Sequence, residues 1–167
     1  MRILGVDPGL NATGFGCVDV KNSFDACLVD AGTIEPSAKE NLATRLYKVH
    51  SHLNQIITQH QPDLMVLEKL YSHHKHPATV AVLGHVRGVI CLLGAERKLE
   101  IVEYPVKRIR KAITGNGNAT KEQTQRTVLH LLKIKSSSRI KWDITDALAL
   151  ALGHMWMDRS RRLTEKN

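Results

Sequence analysis

The sequence predicts an α/β domain built on one mixed five-stranded sheet with helices on both faces. Three observations predict it. Three β-like runs come first with no helix between them, and later apolar runs alternate with stretches of helical period. The 167 residues are also enough to bury a core without disulfides or structural metals.

Arg2 through Val6 is a short apolar run that stops at Asp7-Pro8-Gly9, a strand ending in a tight turn. Thr13–Val20 and Ala26–Ile34, separated by Lys21-Asn22-Ser23, read as two more strands, so the first three form an antiparallel meander. Gly14 and Gly16 inside the second strand signal a close backbone approach. Leu42, Leu46, Val49, Leu53, Ile56 and Ile57 recur at the period of one buried helix face, and that helix ends before Pro62. Leu64–Leu67 lacks polar alternation, as in a strand covered on both faces, and terminates in Glu68. A second helix, Ala78 to Lys98, carries an apolar stripe of Val82, Val86, Val89, Ile90 and Leu93. Leu99–Tyr104 makes the fifth strand. After Pro105 come a short helix, the loop Gly115-Asn116-Gly117-Asn118 as the most flexible point, and a helix from Thr120 to Leu132. The last helix starts at Asp143 and is almost wholly apolar from Ala147 to Met157. This order, three strands and then alternating helices and strands, is that of an RNase H-like (retroviral-integrase-like) domain. Residues 1–158 read as one domain and 159–167 as a basic, frayed tail.

The net charge of +8 and pI near 9.6 point to a polyanionic partner. Between Lys107 and Arg126, six basic residues (Lys107, Arg108, Arg110, Lys111, Lys121, Arg126) face only Glu122, which places the positive field in one segment. Each can also be a solvated helix face. Cys17, Cys27 and Cys91 form no paired motif and read as reduced core residues of a cytoplasmic protein. A basic-then-apolar leader is missing, and no apolar run reaches bilayer length, so neither secretion nor a membrane is expected.

A basic protein acting on DNA needs a local anionic pocket to hold divalent metal. Asp7 and Glu68 each follow an apolar run, where a strand delivers its end residue to the sheet rim. Asp143 and Asp146 lie three apart on a helix, with β-carbons roughly 5–6 Å from each other. At an effective dielectric near 20, two such charges repel by on the order of 4 kcal/mol at 4 Å, which favours a bound cation or a proton. On spacing alone a helix start remains the simpler account, with Asp143 as N-cap and Asp146 at the positive helix end. Asp7 alone also reads as a turn residue, and Glu68 alone as a strand-end charge.

The combination says more. Gly5-Val6-Asp7-Pro8-Gly9 with Thr13-Gly14-Phe15-Gly16, Leu67-Glu68, Leu83-Gly84-His85-Val86-Arg87-Gly88-Val89, the stretch Gly115 to Lys121, and Asp143-Ile144-Thr145-Asp146-Ala147-Leu148-Ala149 occur in order. Together they resemble the RuvC family of Holliday-junction resolvases over nearly the whole chain. The resemblance implies a structure-selective endonuclease that resolves four-way DNA junctions in recombination and repair by paired symmetric nicks. It implies Asp7, Glu68, Asp143 and Asp146 as catalytic metal ligands for two Mg2+ ions, with Mn2+ able to substitute, and 5′-phosphate products that a ligase can reseal. Tyr71 takes the place of an aromatic that stacks on DNA at the junction centre, where phenylalanine is the better-known occupant. Arg110, usually lysine in the family, and Lys121 match phosphate-contacting positions, and Lys107 and Lys111, with Arg108 and Arg126, widen that footprint.

The resemblance further implies a homodimer and the branch-migration proteins RuvA and RuvB as collaborators. The dimer contact falls on the helix matching Ala78–Lys98, where Gly84, Gly88 and Cys91 make a small-residue strip; tight packing of that strip on the chain's own sheet is the alternative. His73, His74 and His76 lack the spacing of a structural zinc site, and their loop carries one residue more than the family pattern.

Three rival functions remain open on sequence. An actin-like phosphotransferase also opens on a strand ending in Asp-x-Gly, but it requires a duplicated domain. A non-catalytic junction- or RNA-binding module would not need four acids. An RNase H-like nuclease with another substrate shares both fold and acids.

Overall fold

The computed structural model describes residues 1–22, 25–69, 77–134 and 140–164. Its elements run β1 (Arg2–Asp7), β2 (Thr13–Asn22), β3 (Asp25–Ile34), α1 (Leu42–His60), β4 (Leu64–Glu68), α2 (Pro77–Glu96), β5 (Glu100–Tyr104), α3 (Val106–Thr114), α4 (Lys121–Leu131) and α5 (Trp142–Thr164). The strands form one sheet in the order β3-β2-β1-β4-β5. β1 pairs antiparallel with β2 and parallel with β4, so the sheet is mixed, and its parallel half begins where helical crossovers begin.

Alternation along the strands sorts the core into two layers. Leu4 and Val6 of β1 and Met65 and Leu67 of β4 pack with Val49, Leu53 and Ile57 of α1 and Val86, Ile90 and Leu93 of α2. Ile3, Leu64 and Val66 point the other way, into a layer with Ile109 of α3, Val128 of α4 and Leu148, Ala151, Leu152 and Met155 of α5. Helices therefore cover both faces. Local signals fix the helix ends. Asn41 Oδ1 accepts from Thr44 N at 2.9 Å to start α1, and Gln61 (φ 47°) closes it before Pro62. Thr120 and Gln123 form a reciprocal capping box at the start of α4.

Several expectations change. Cys17 is buried, but Cys27 and Cys91 are only half-buried. Helix α5 runs on to Thr164, into the segment expected to fray; extending an existing helix adds a hydrogen bond per residue without a new nucleus. The loop 115–118 is stitched to α3: Thr114 Oγ1 donates to the Arg110 carbonyl at 2.8 Å and accepts from Asn116 N at 3.1 Å. Finally, Thr79–Glu96 has the length and mean hydropathy, 1.4, to cross a bilayer, with only 22% of it buried. His85 and Arg87 interrupt the apolar run in sequence without lowering the average below that level.

Candidate active site

The turn after β1 is clasped from two sides. Thr13, fully buried, donates from Oγ1 to the Gly9 carbonyl at 2.6 Å. Arg45 of α1 donates to the Leu10 carbonyl at 3.0 Å and to Asn11 Oδ1 at 2.8 Å. Arg45 does not stand out in the sequence as a site residue, and Thr13 is visible only as part of the Thr13–Gly16 stretch, because each acts by holding the turn after β1 and not on the carboxylates directly. Their effect is to hold Asp7 at the end of its strand.

Val6 and Leu67 are the last register pair between β1 and β4, so Asp7 and Glu68 leave adjacent strands side by side, about 4.8 Å apart across the sheet. By alternation both share a face with Ile3, Gly5, Leu64 and Val66, the face that α5 covers. What brings α5 down to them is missing side chains. A Cβ on Gly5 would lie 1.9 Å from the Ala147 carbonyl oxygen, and one on Gly14 would lie 2.0 Å from that of Asp143. Gly14 is the register partner of Asp7 and Gly16 that of Gly5, so these glycines form a flat patch on which the first turns of α5 lie directly. Asp143 and Asp146 reach the sheet edge as a result. The helix begins at Trp142, which puts Asp143 within its first turn; the reading of Asp143 as N-cap does not hold.

The electrostatics show the convergence. Asp7 is pushed up from 3.8 to about 7, first by burial and then by the charges of Asp146, Glu68 and Asp143, with Lys121 pulling the other way. Lys121 Nζ sits 3.0 Å from Asp146 Oδ2. Burial lowers the Lys121 pKa, but the bond to Asp146 and the charges of Asp146, Asp7 and Asp143 outweigh it and hold the lysine above its ordinary value. Among the described residues, no group of three or more His, Cys, Asp or Glu side chains is placed to hold a metal ion. Asp7 nevertheless feels the charges of Asp146, Glu68, Asp143 and Lys121, and carboxylate oxygens are the donors that suit a hard divalent cation.

A cleft of about 210 Å3 opens beside them, lined by Glu68, Asp146, Arg110, Lys121, Thr124 and Leu150. Arg110 and Lys121 thus flank the carboxylates, while Lys107 and Lys111 stand exposed on α3. Arg108 does not join them: its guanidinium lies over the Tyr104 ring at 5.6 Å, beside a separate cleft with His154 and Asp158. Successive α3 residues project about a quarter-turn apart, so a basic run in sequence divides between faces. Tyr71, His73, His74 and His76 lie outside the described residues. Gly84 and Gly88 face outward; a Cβ at either would meet nothing within 4 Å, so packing on the chain's own sheet is not their role.

A family model described as "Crossover junction endodeoxyribonuclease RuvC" matches residues 3–154. The chain belongs to the RuvC family. The RuvC of Rhodopirellula baltica is 40% identical over 91% of this chain and 85% of its own length. That of Caldicellulosiruptor saccharolyticus is 37% identical over 93% and 92%. Among solved structures, Thermus thermophilus RuvC in complex with a Holliday junction substrate superimposes with a TM-score of 0.89 at 25% identity, covering 96% of each chain. The yeast mitochondrial Holliday junction resolvase Ydc2, at 12% identity and a TM-score of 0.71, shares the fold. The fold is thereby the RNase H-like one, and the matched region of this RuvC-family chain contains all four carboxylates, Arg110, Lys121 and the outward strip of α2. An actin-like phosphotransferase is set aside.

Proposed function

We propose that the chain is a Holliday-junction-resolving endodeoxyribonuclease whose active site is Asp7, Glu68, Asp143 and Asp146. The observation that carries this reading is the convergence of four carboxylates from β1, β4 and α5 on one sheet edge, beside a cleft walled by Arg110 and Lys121. The four acids would hold divalent cations, Mg2+ or Mn2+, which supply water activation and stabilisation of the leaving 3′ oxygen, giving 5′-phosphate ends. Asp7, held in place by the clasped turn, feels the charges of the other three. Its partial burial strengthens the charge interactions there. Lys121 balances the excess negative charge in the free protein and stands within the cleft where a phosphate would approach; Arg110 is placed on the same wall. Cleavage of a synthetic mobile four-way junction tests the reading. Paired symmetric nicks are expected from the native chain and none from Asp146→Asn at equal junction binding. Tight binding without cleavage in either metal would favour a silent binding module, and preference for an RNA–DNA hybrid would favour another RNase H-like nuclease.

Phosphate contact by the basic wall has its own signature. Arg110→Ala is expected to weaken junction binding and to reduce the slope of log affinity against log salt by about one, the value for one lost phosphate contact. A titration at several salt concentrations that gave an unchanged slope would remove Arg110 from the interface.

Two opposed strands must be cut, which a two-fold dimer accomplishes. The outward face of α2 supports that assembly: Gly84 and Gly88 are open, Cys91 is half-exposed, and Leu92 is 57% exposed. Such a strip lets another helix approach closely. Leu92→Glu should sediment as a monomer at concentrations where the native chain is a dimer, with its own fold intact. Dimeric sedimentation of this variant would move the interface elsewhere. RuvA and RuvB, as branch-migration partners, belong to the same reading.

A further inference from the structure

Arg87 lies in the Leu83–Val89 motif, yet nothing in the proposed chemistry uses it. It projects from α2 toward the sheet and is 13% exposed, an unusual depth for a guanidinium. One terminal nitrogen donates to the backbone carbonyl of Glu68 at 2.5 Å, and the other pairs with the Glu103 carboxylate on β5. The register between β1 and β4 stops at Val6 and Leu67, one residue short of Glu68. Glu68 therefore sits where the β1 side of the ladder has run out; on the other side it still pairs with Tyr104 of β5, whose carbonyl accepts from Lys69 N at 2.8 Å, and Arg87 adds a contact to the Glu68 carbonyl itself.

We infer that Arg87 is a positioning residue for Glu68: it bridges α2 and β5 to the Glu68 carbonyl and so fixes where that carboxylate meets Asp7. The bridge needs a rigid planar fork, because two acceptors on different strands must be met by two nitrogens of one group at once. A lysine carries the charge but only one ammonium. Glu103 neutralises the guanidinium and is more exposed, at 38%, so it serves the arginine and not the metal site. The inference rests on the reading of Glu68 as a metal ligand.

The test is direct Mn2+ binding by the full chain, followed from the free-ion electron paramagnetic resonance signal, alongside thermal unfolding and junction affinity. Arg87→Gln is expected to weaken Mn2+ binding about tenfold or more, the usual effect of removing a group that orients a metal ligand, with junction affinity in the absence of metal unchanged. Arg87→Lys should recover part of the loss, and Glu103→Gln should bind nearly as the native chain does. Ile57→Val loosens the core on the same sheet face without touching Glu68 and serves as the stability control. Native affinity in Arg87→Gln would overturn the inference, as would an equal loss in Ile57→Val. Should Arg87→Gln fail to fold, Arg87→Lys decides alone: full native affinity overturns the inference and a weakened one supports it. A native chain that binds no Mn2+ would instead overturn the metal-site reading and this inference with it.

Discussion

Asp7→Asn should abolish junction cleavage and, in the absence of metal at pH 8, make the protein more stable than the native chain by about 2–4 kcal/mol. The first effect follows from the loss of a proposed metal ligand. The second follows from the burial of Asp7 and then from the three other carboxylates near it, which hold its pKa at about 7 in the folded chain against an ordinary 3.8. A carboxyl raised on folding holds its proton more tightly in the native state than in the unfolded one. Below the unfolded value both states are protonated and Asp7 costs nothing. Between 3.8 and about 7 the unfolded chain gives up the proton first, so stability falls as pH rises, by about 1.4 kcal/mol per unit. Above about 7 both states are ionised and the whole penalty is present. Asparagine removes the charge and with it the penalty. Denaturant unfolding with a chelator should therefore show the variant ahead at pH 8 and the two converging toward pH 4. A variant less stable than the native chain at pH 8 would mean that the four acids do not crowd one another. Divalent metal should reverse the order, since a ligand that binds only the native site stabilises it in proportion to its concentration over Kd.

The strands and helices were legible because their apolar periods are strong and local: Leu64 to Leu67 has no polar break, and Leu42 to Ile57 repeats on one helical face. That the carboxylates stand at the ends of such elements was legible for the same reason, while their joint role came from the family resemblance and not from any local pattern. Less visible was anything decided by a distant partner. Gly14 and Gly16 announce a close approach without saying what approaches, and Gly5 hides inside an ordinary apolar strand until Ala147 is seen against it. Arg108 and Arg110 look equivalent in a basic run, yet one covers Tyr104 and the other faces the acids. The sequence also offers two accounts of Asp143, cap or ligand, and the helix start at Trp142 removes the first. Arg87 is the extreme case: its motif is visible, but its task is defined by a backbone carbonyl that no side-chain pattern encodes.

Gly5→Ala should be among the most damaging substitutions of a single methyl group in the chain. Its Cβ would stand 1.9 Å from the Ala147 carbonyl oxygen and 3.1 Å from Ala151 N, both backbone atoms of α5, so no rotamer change relieves the clash. Either α5 lifts from the sheet or β1 bends away from it. Lifting α5 opens the layer that buries Leu148, Ala151 and Leu152, and it carries Asp143 and Asp146 away from Asp7. Overpacking a tight core costs typically about 1–3 kcal/mol, and a backbone-to-backbone clash lies at or beyond the upper end. Thermal and denaturant unfolding should thus show a loss of about 3 kcal/mol or more, with cleavage lost even in the fraction that stays folded. The matched control is Gly84→Ala on α2, with both variants compared in the monomeric Leu92→Glu background: a Cβ there meets none of the described residues within 4 Å, and replacement of glycine inside a helix favours folding by up to about 1 kcal/mol. Equal stability of the two variants would mean that α5 does not rest on the glycine patch. In that case the same contact could not be what brings the two halves of the carboxylate cluster together.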